Sequence, residues 1–372
     1  MQKIIYFLKN ETVLVISVLL AVISSFFVSP SLQYIGYIDF KVLVCLFCLM
    51  ILVSGFIKMN ILDIISQKLL SKANSLREIY IIIIFLTFIS AMIITNDVAL
   101  ITFVPLTLTI LKMCDKMKYS ILFIVLQTIS ANLGSSLTPV GNPQNLYLFS
   151  FYNLSTIDFF STTLPMVTLG GVLLFLCVFL VKKESLKIDV IKSIQVHNKF
   201  NSIIYFILFI ITVLSVFNIV SYQLVLAIVI ISVLVLDKKL FKEVDYSLLI
   251  TFVGFFIFVG NISNIDSLKV VFADILKNKE LIISIALSQV ISNVPAAMLL
   301  SNFTNNAKEI LLGVNIGGLG TLIASLASVI SFKIYSKEKE AKKGKYMIIF
   351  TSYNIIFLIV LTIFSIISKN LT

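Results

Sequence analysis

The chain has 372 residues, of which 59% are hydrophobic and only 13% charged, and its mean hydropathy is +1.09. Soluble domains carry about 25% charged residues, so this composition excludes a water-soluble enzyme and points to a chain solvated mostly by lipid. A formal charge of +11 does not indicate a nucleic-acid partner, because the basic residues form short clusters between apolar runs, the pattern that orients membrane proteins and meets anionic headgroups.

A spanning helix needs about 20 mostly apolar residues. Residues 11–29 form the first such run; it contains Phe26 and Phe27 and meets Pro30 rather than a small-residue cleavage site, so it reads as a retained helix. Residues 40–57 form the second; here Cys45 and Cys48 read as small packing residues and not as a redox pair. Residues 59–74 are amphipathic, as in a helix lying at the interface. Residues 78–112 are apolar but interrupted by Thr95, Asn96 and Asp97, which predicts a helical hairpin. Residues 119–152 carry a polar, Gly/Pro-containing break from Asn132 to Asn145, and residues 165–181 form a further span. A polar connection, 182–200, contains the one histidine, His197; with Cys114 and Cys177 in or beside apolar runs, a Cys/His metal centre is not expected.

Residues 201–219, 222–236 and 246–261 read as spans, and 262–278 as a second amphipathic linker. Residues 280–303 are interrupted at Ser292, Asn293 and Pro295, predicting a second hairpin, and 309–332 contain Gly313, Asn315, Gly317, Gly318, Gly320 and Thr321. Residues 346–367 form the last span. Glycine and proline at this density do not make a continuous helix. Backbone that leaves the helix at membrane depth must line a cavity or be buried in protein. Gly170, Gly171 and Gly254 instead read as points of close helix packing. The expected fold is an all-α integral membrane protein of about nine spanning helices plus two hairpins, two of the helices being broken. Whether the hairpins are re-entrant or fully spanning is open.

If both hairpins enter and leave on the same side, 23 of the 29 basic residues fall on one side of the bilayer, including Lys3, Lys9, Arg77, Lys112, Lys187 and Lys192, and six on the other: Lys41, Lys269, Lys277, Lys279, Lys308 and Lys369. The positive-inside rule makes the first side, with the N-terminus, cytoplasmic. A single crossing by either hairpin would collapse that bias. The expected localisation is the cell membrane, multi-pass, with the N-terminus inside.

Laid over each other without a gap, residues 131–145 and 314–328 share Asn-x-Gly-x-x-x-Thr, pairing Asn132 with Asn315, Gly134 with Gly317 and Thr138 with Thr321. Each copy follows a hairpin whose tip also matches, Ile94-Thr95-Asn96 beside Ile291-Ser292-Asn293. By the charge map the hairpins open to opposite sides. The chain therefore divides into an N-terminal half (1–181), a cytoplasmic linker (182–200) and a C-terminal half (201–372) that is an inverted copy of the first. Inverted repeats with broken helices at the midplane mark secondary transporters.

Of the 18 acidic residues, only Asp97 sits in the middle of an apolar run. A buried carboxylate costs at least about 2.5 to 3.5 kcal/mol on insertion scales, which makes it a functional candidate, suited to coupling protons or sodium; a helix-capping role for Asn96 or Asp97 is compatible with that. Thr95, Asn96, Ser292 and Asn293 supply hydroxyls and amides at the tips, and Ser135, Ser136, Thr138, Asn142, Asn145, Asn315 and Thr321 supply them along the breaks. Half-helix N-termini suit an anion, and carbonyls released by unwinding suit a small cation. No Lys or Arg occurs in these four motifs. Pro143 disfavours helix at Asn142 and marks a turn there.

At TNDVALITFVPLTL, GSSLTPVGNPQNLYL and LSQVISNVPAAMLL the chain resembles the ion transporter superfamily of arsenite permeases, citrate and dicarboxylate carriers and NhaD-type sodium/proton antiporters, and looks most like the YbiR-type bacterial inner-membrane proteins. The resemblance implies substrate and sodium held at the hairpin tips, here Thr95, Asn96, Ser292 and Asn293, facing broken helices at 134–145 and 317–325. On that basis the expected substrate ligands are Thr95, Asn96, Ser135, Ser136, Thr138, Asn142, Ser292, Asn293 and Thr321. The expected coupling-ion positions, also those of a bound sodium, are Asp97, Asn96, Gly134, Gly141, Asn145, Asn293, Gly317 and Ser325. Asp97 stands where the dicarboxylate/sodium symporters have threonine, more like the arsenite permeases, and the second break lacks the Asn-Pro of the first.

The function expected is secondary active transport of a small inorganic or organic anion, coupled to protons or sodium, with no enzymatic activity and no cofactor beyond the coupling ion. Two alternatives stay open: a sodium/proton antiporter working through Asp97, and a passive channel. The expected partners are the transported ion and the bilayer, with a homodimer as an open arrangement.

Overall fold

A computed structural model describes residues 11–179, 181–185 and 198–371. Lys3, Lys9, Lys187, Lys192, His197 and most of the 182–200 connection lie outside these residues. The described chain is all-α, and its outward apolar side chains, among them Phe206, Ile231, Val235 and Ile356, are exposed as lipid-facing groups are. Among the described residues, seven helices are long and apolar enough to cross a membrane. The protein is a multi-pass membrane protein.

The first apolar run forms helix α1 only over Thr12–Ser25. Its 14 residues reach about 21 Å, short of a bilayer, because the chain turns at Phe26 and Phe27. A short α2 (Gln33–Tyr37) precedes α3 (Phe40–Lys58), which starts where Asp39 accepts the Val42 N–H at 3.0 Å. The first amphipathic linker forms α4 (Ile61–Leu70).

Ser75 Oγ then accepts the Glu78 N–H at 3.3 Å and the Glu78 carboxylate accepts the Asn74 N–H at 2.7 Å, and from this cap the first hairpin rises as α5 (Leu76–Ile94) and α6 (Asn96–Met113). The first broken segment is α7 (Ser120–Ser135) and α8 (Pro143–Phe151). Helix α9 (Thr156–Phe179) starts nine residues before the expected 165 and runs through Pro165.

In the second half, α10 (Lys199–Val216), α11 (Tyr222–Asp237) and α12 (Tyr246–Ser263) are followed by the second linker as α13 (Asp266–Leu276). The second hairpin is α14 (Glu280–Ile291) and α15 (Asn293–Ser301), the second broken segment α16 (Ala307–Gly317) and α17 (Leu326–Tyr335), and the last span α18 (Lys343–Leu371).

Contacts at the helix ends order this bundle. The Tyr80 hydroxyl donates to the Tyr119 carbonyl just before α7, and Lys112 pairs with Glu338 just after α17 at 2.7 Å. The open end of the first hairpin therefore lies with the start of α7 and the end of α17. The Tyr152 hydroxyl donates to the carbonyls of Ser301 and Thr304, placing the end of α8 at the open end of the second hairpin. Two apolar cores hold the bundle. One gathers the first hairpin, α7, α9, α17 and α18 around residues such as Phe103, Phe123 and Phe350. The other gathers α3, α8, α10, α12 and α15 around Leu52, Tyr205, Phe252 and Met298. Each buried side chain of this size contributes about 1.5 to 3 kcal/mol where water is the alternative; against lipid, packing and polar contacts decide.

The expected packing glycines separate. A Cβ on Gly170 would lie 2.8 Å from Leu133, and one on Gly254 would lie 2.8 Å from the Ser17 hydroxyl, so both mark close approaches. Gly171 has room, its nearest neighbour being the Phe88 ring at 3.6 Å. Cys45 and Cys48 are buried and free.

Candidate functional site

The hairpin tips share one unusual backbone conformation. Thr95 has φ 75° and ψ 148°, and Ser292 has φ 76° and ψ 156°. A positive φ is an outlier for a β-branched residue and costs on the order of 1–3 kcal/mol, held in place by what surrounds it. In each hairpin one strained residue ends the first helix and starts the second. The tips are tied to the breaks. The Asn96 N–H donates to the Gly141 carbonyl at 3.1 Å, and the Ser292 hydroxyl donates to the Ala324 carbonyl at 3.3 Å. In the gapless alignment of the two breaks, Gly141 and Ala324 are the same position.

The breaks themselves are joined by an exchange of asparagine contacts. From α7, Asn132 Oδ1 accepts from Ser325 Oγ at 3.0 Å, and its Nδ2 reaches Ser328 Oγ at 3.5 Å. From α16, Asn315 Nδ2 donates to Asn145 Oδ1 at 2.7 Å, and its Oδ1 accepts from Asn142 Nδ2 at 3.3 Å. Asn142 aligns with Ser325 and Asn145 with Ser328. Each break thus sends one asparagine to the first turn of the other break's second half-helix. Asn96 joins from the hairpin, its Nδ2 donating to Asn132 Oδ1 at 3.1 Å. All of these side chains are buried.

The repeated threonines and glycines serve the framework. Thr138 Oγ1 donates to the Met92 carbonyl at 2.5 Å, and Thr321 Oγ1 donates to the Gln289 carbonyl at 3.1 Å; both carbonyls lie three residues before a tip. A Cβ on Gly134 would fall on the Phe88 carbonyl, and one on Gly317 would lie 2.7 Å from Ser288 Cβ and 3.1 Å from Ile285 Cα. These glycines let each broken helix press against the first helix of its hairpin.

Four helix N-termini, those of α6, α8, α15 and α17, begin at the tips and breaks. In α8 Asn142 Oδ1 accepts the Asn145 N–H at 3.0 Å, and in α6 the Asn96 N–H goes to the Gly141 carbonyl and the Asp97 N–H to Asn96 Oδ1 at 2.9 Å, whereas the N-cap side chains of α15 and α17 make no capping bond. Such termini offer backbone N–H groups and partial positive charge to an anion. Asp97 lies in the first turn of α6, and its Oδ1 is buried without a hydrogen-bond partner among the described residues. Val294 occupies the matching place after the second tip.

Of the residues expected from sequence, the structure brings together Asn96, Ser135, Asn142, Asn145 and Ser325 in one hydrogen-bonded cluster with Asn132 and Asn315. Ser136 donates to the Asn132 carbonyl, while Thr138 and Thr321 spend their hydroxyls on the hairpins, and Thr321 is exposed. Asn293 is buried, its Nδ2 lying 2.8 Å from where a Cβ on Gly318 would stand. Gln289 was not among the expected residues. Its amide donates to the Gly317 carbonyl at 2.7 Å and the Leu319 carbonyl at 3.0 Å, and its Oε1 accepts the Thr321 N–H at 2.8 Å. An amide inside an otherwise apolar hairpin arm was the available signal.

Residues 3–309 match the profile of the citrate transporter family, CitMHS. The chain belongs to this family. It is 35% identical over 330 residues to an uncharacterized transporter of Methanocaldococcus jannaschii, covering 88% of this chain and 90% of that one. It is 28% identical over 302 residues to the inner membrane protein YbiR of Escherichia coli, covering 80% of each. This member of the citrate transporter family is therefore a membrane transporter of the ion-carrying type. The family match spans both hairpins and the first break and stops in the first turn of α16, whereas the Methanocaldococcus relative extends over most of the chain.

Proposed function

We propose that the protein is a secondary active carrier that moves a small anion across the cell membrane, driven by a proton or sodium ion acting through Asp97. The observation that carries this reading is the asparagine exchange between the two breaks, with Asp97 next in the chain to Asn96 and its Oδ1 buried without a partner among the described residues. Two halves of opposite orientation around one such site interconvert between inward-open and outward-open states of similar energy. The matched tips, ties and glycines support reading the halves as inverted copies. The lysine-rich end that carries Lys112, Lys116 and Lys118 is then cytoplasmic.

With no Lys or Arg in the four motifs, the anion is held by the uncapped N-termini of α15 and α17 and by the hydroxyls and amides of Thr95, Asn96, Ser135, Asn142, Ser292 and Asn293. Citrate, named in the family's description, is the first substrate to test, with arsenite, phosphate and sulfate beside it. The decisive experiment is uptake into proteoliposomes under an imposed pH or sodium gradient. Accumulation of one of these anions against its own gradient, lost in Asp97→Asn, is the expected result. Downhill equilibration alone would make the protein a channel. Sodium uptake driven by a pH gradient with no anion present would make it an antiporter, the reading that a lone intramembrane carboxylate also favours.

A further inference from the structure

Unwinding a helix at membrane depth releases carbonyl oxygens, and in lipid these need a donor or a cation. In the first break the released carbonyls include those of Ser135, Ser136 and Thr138. Asn145 Nδ2 donates to all three, at 3.2, 3.3 and 3.2 Å. In the second break Ser328 stands at the place of Asn145 and is too short for that task. The amide there comes from the other direction. Gln289, on the hairpin arm, caps the carbonyls of Gly317 and Leu319, at the place where the first hairpin has Met92. Two unrelated positions thus supply the same group, one amide NH2 on each cluster of released carbonyls.

We infer that the Asn145 and Gln289 amides stand in for bound alkali cations at the two breaks, so that this carrier works without sodium held there. An NH2 group presents two hydrogens to several carbonyl oxygens and balances their partial negative charge, as a sodium ion would, but it is covalently fixed and does not leave during the cycle. The carbonyls that these two amides hold consequently offer no exchangeable cation site. Asp97, whose Oδ1 no donor satisfies among the described residues, is left as the group that changes charge state. The inference rests on the carrier reading above for its meaning in transport, while its test needs neither substrate nor flux.

The test is the melting midpoint of the purified full chain in detergent, in sodium chloride against choline chloride, at pH 8 and pH 5. Wild type should show no sodium-specific shift. Asn145→Asp and Gln289→Glu replace the NH2 with an acceptor that faces carbonyl oxygens, a clash relieved only by a proton or a cation. Each should gain roughly 3–5 °C from about 100 mM sodium at pH 8 and nothing at pH 5. A variant that folds at pH 8 only when sodium is present gives the same support. A sodium-specific shift in wild type overturns the inference regardless of how the variants behave. So does a folded Asn145→Asp or Gln289→Glu protein that ignores sodium at pH 8. Failure to accumulate any anion, with these sodium responses as expected, would count against the carrier reading and leave the amide assignment standing.

Discussion

The two hairpins hold the same kind of tip on very different arms. The first has arms of 19 and 18 residues, so Thr95 lies about 27 Å from the hairpin's open end; the second has arms of 12 and 9, so Ser292 lies about 14 to 18 Å from its own. The open ends differ as well. At the first, Glu184 pairs with Lys116 at 2.7 Å and with the Tyr119 hydroxyl. At the second, Glu280 accepts from Thr304, and its other oxygen is buried without a partner among the described residues. The comparison teaches that the site requires the geometry of tip and break and tolerates wide variation in what supports it. It also separates the chemistry: the one carboxylate at a tip, Asp97, is on the long hairpin, and Val294 holds the matching place on the short one.

The largest effect should come from the residue that breaks this correspondence. Asp97→Asn should abolish gradient-driven accumulation in proteoliposomes while the protein still reaches the membrane and purifies as a folded monodisperse species; wild-type flux would show that the carboxylate is structural. The glycines sharpen the comparison next. Gly134→Ala drives a methyl into the Phe88 backbone, whereas Gly317→Ala meets first the Ser288 side chain, so Gly134→Ala should lower stability by about 1–3 kcal/mol and Gly317→Ala by less. Thermal unfolding in detergent ranks them, and equal losses would mean that the second close approach is as rigid as the first.

Asn132→Ala and Asn315→Ala each remove one side of the asparagine exchange and strand buried partners, at about 1–3 kcal/mol apiece. Because the contacts are matched, the two losses should be similar, and ligand-induced stabilisation should fall in both; an effect confined to one would break the equivalence of the halves. The smallest effect belongs to the open ends. The Lys116 ammonium and the Tyr119 hydroxyl hold Glu184 well below the usual carboxylate range, at about 2. A carboxyl lowered in the folded state stabilises above its unfolded pKa of about 4.5, and that contribution is lost as pH falls towards 2. Glu184→Gln should therefore lower the melting midpoint slightly at pH 7 and make no difference at the acid end of a pH series.

Much of the site was legible because polar residues in an apolar run have few reasons to be there. Thr95, Asn96, Ser292 and Asn293 stood out against their hairpin arms, and the breaks announced themselves through Gly141, Asn142 and Pro143 and through Gly317, Gly318 and Gly320. Gln289 did not stand out, because one amide in an apolar arm looks like a tolerated surface residue until the carbonyls it caps are brought beside it. Thr138 and Thr321 misled in the opposite sense: repetition marks importance, and their hydroxyls turn out to be tied to hairpin carbonyls. The first apolar run looked long enough to span, since hydropathy counts residues and does not register where the chain turns.

Composition, period and charge alone determined that this chain lives in lipid, that its helices break at four places, and that a single carboxylate lies within them. Those properties are local, or sums over the chain, and each residue contributes without reference to a distant one. The tertiary structure decided which asparagine meets which half-helix, which amide covers which carbonyl, and how far each tip lies from its open end. Such pairings bring residues from 7 to 193 positions apart within hydrogen-bond distance, and only the packed bundle sets that distance.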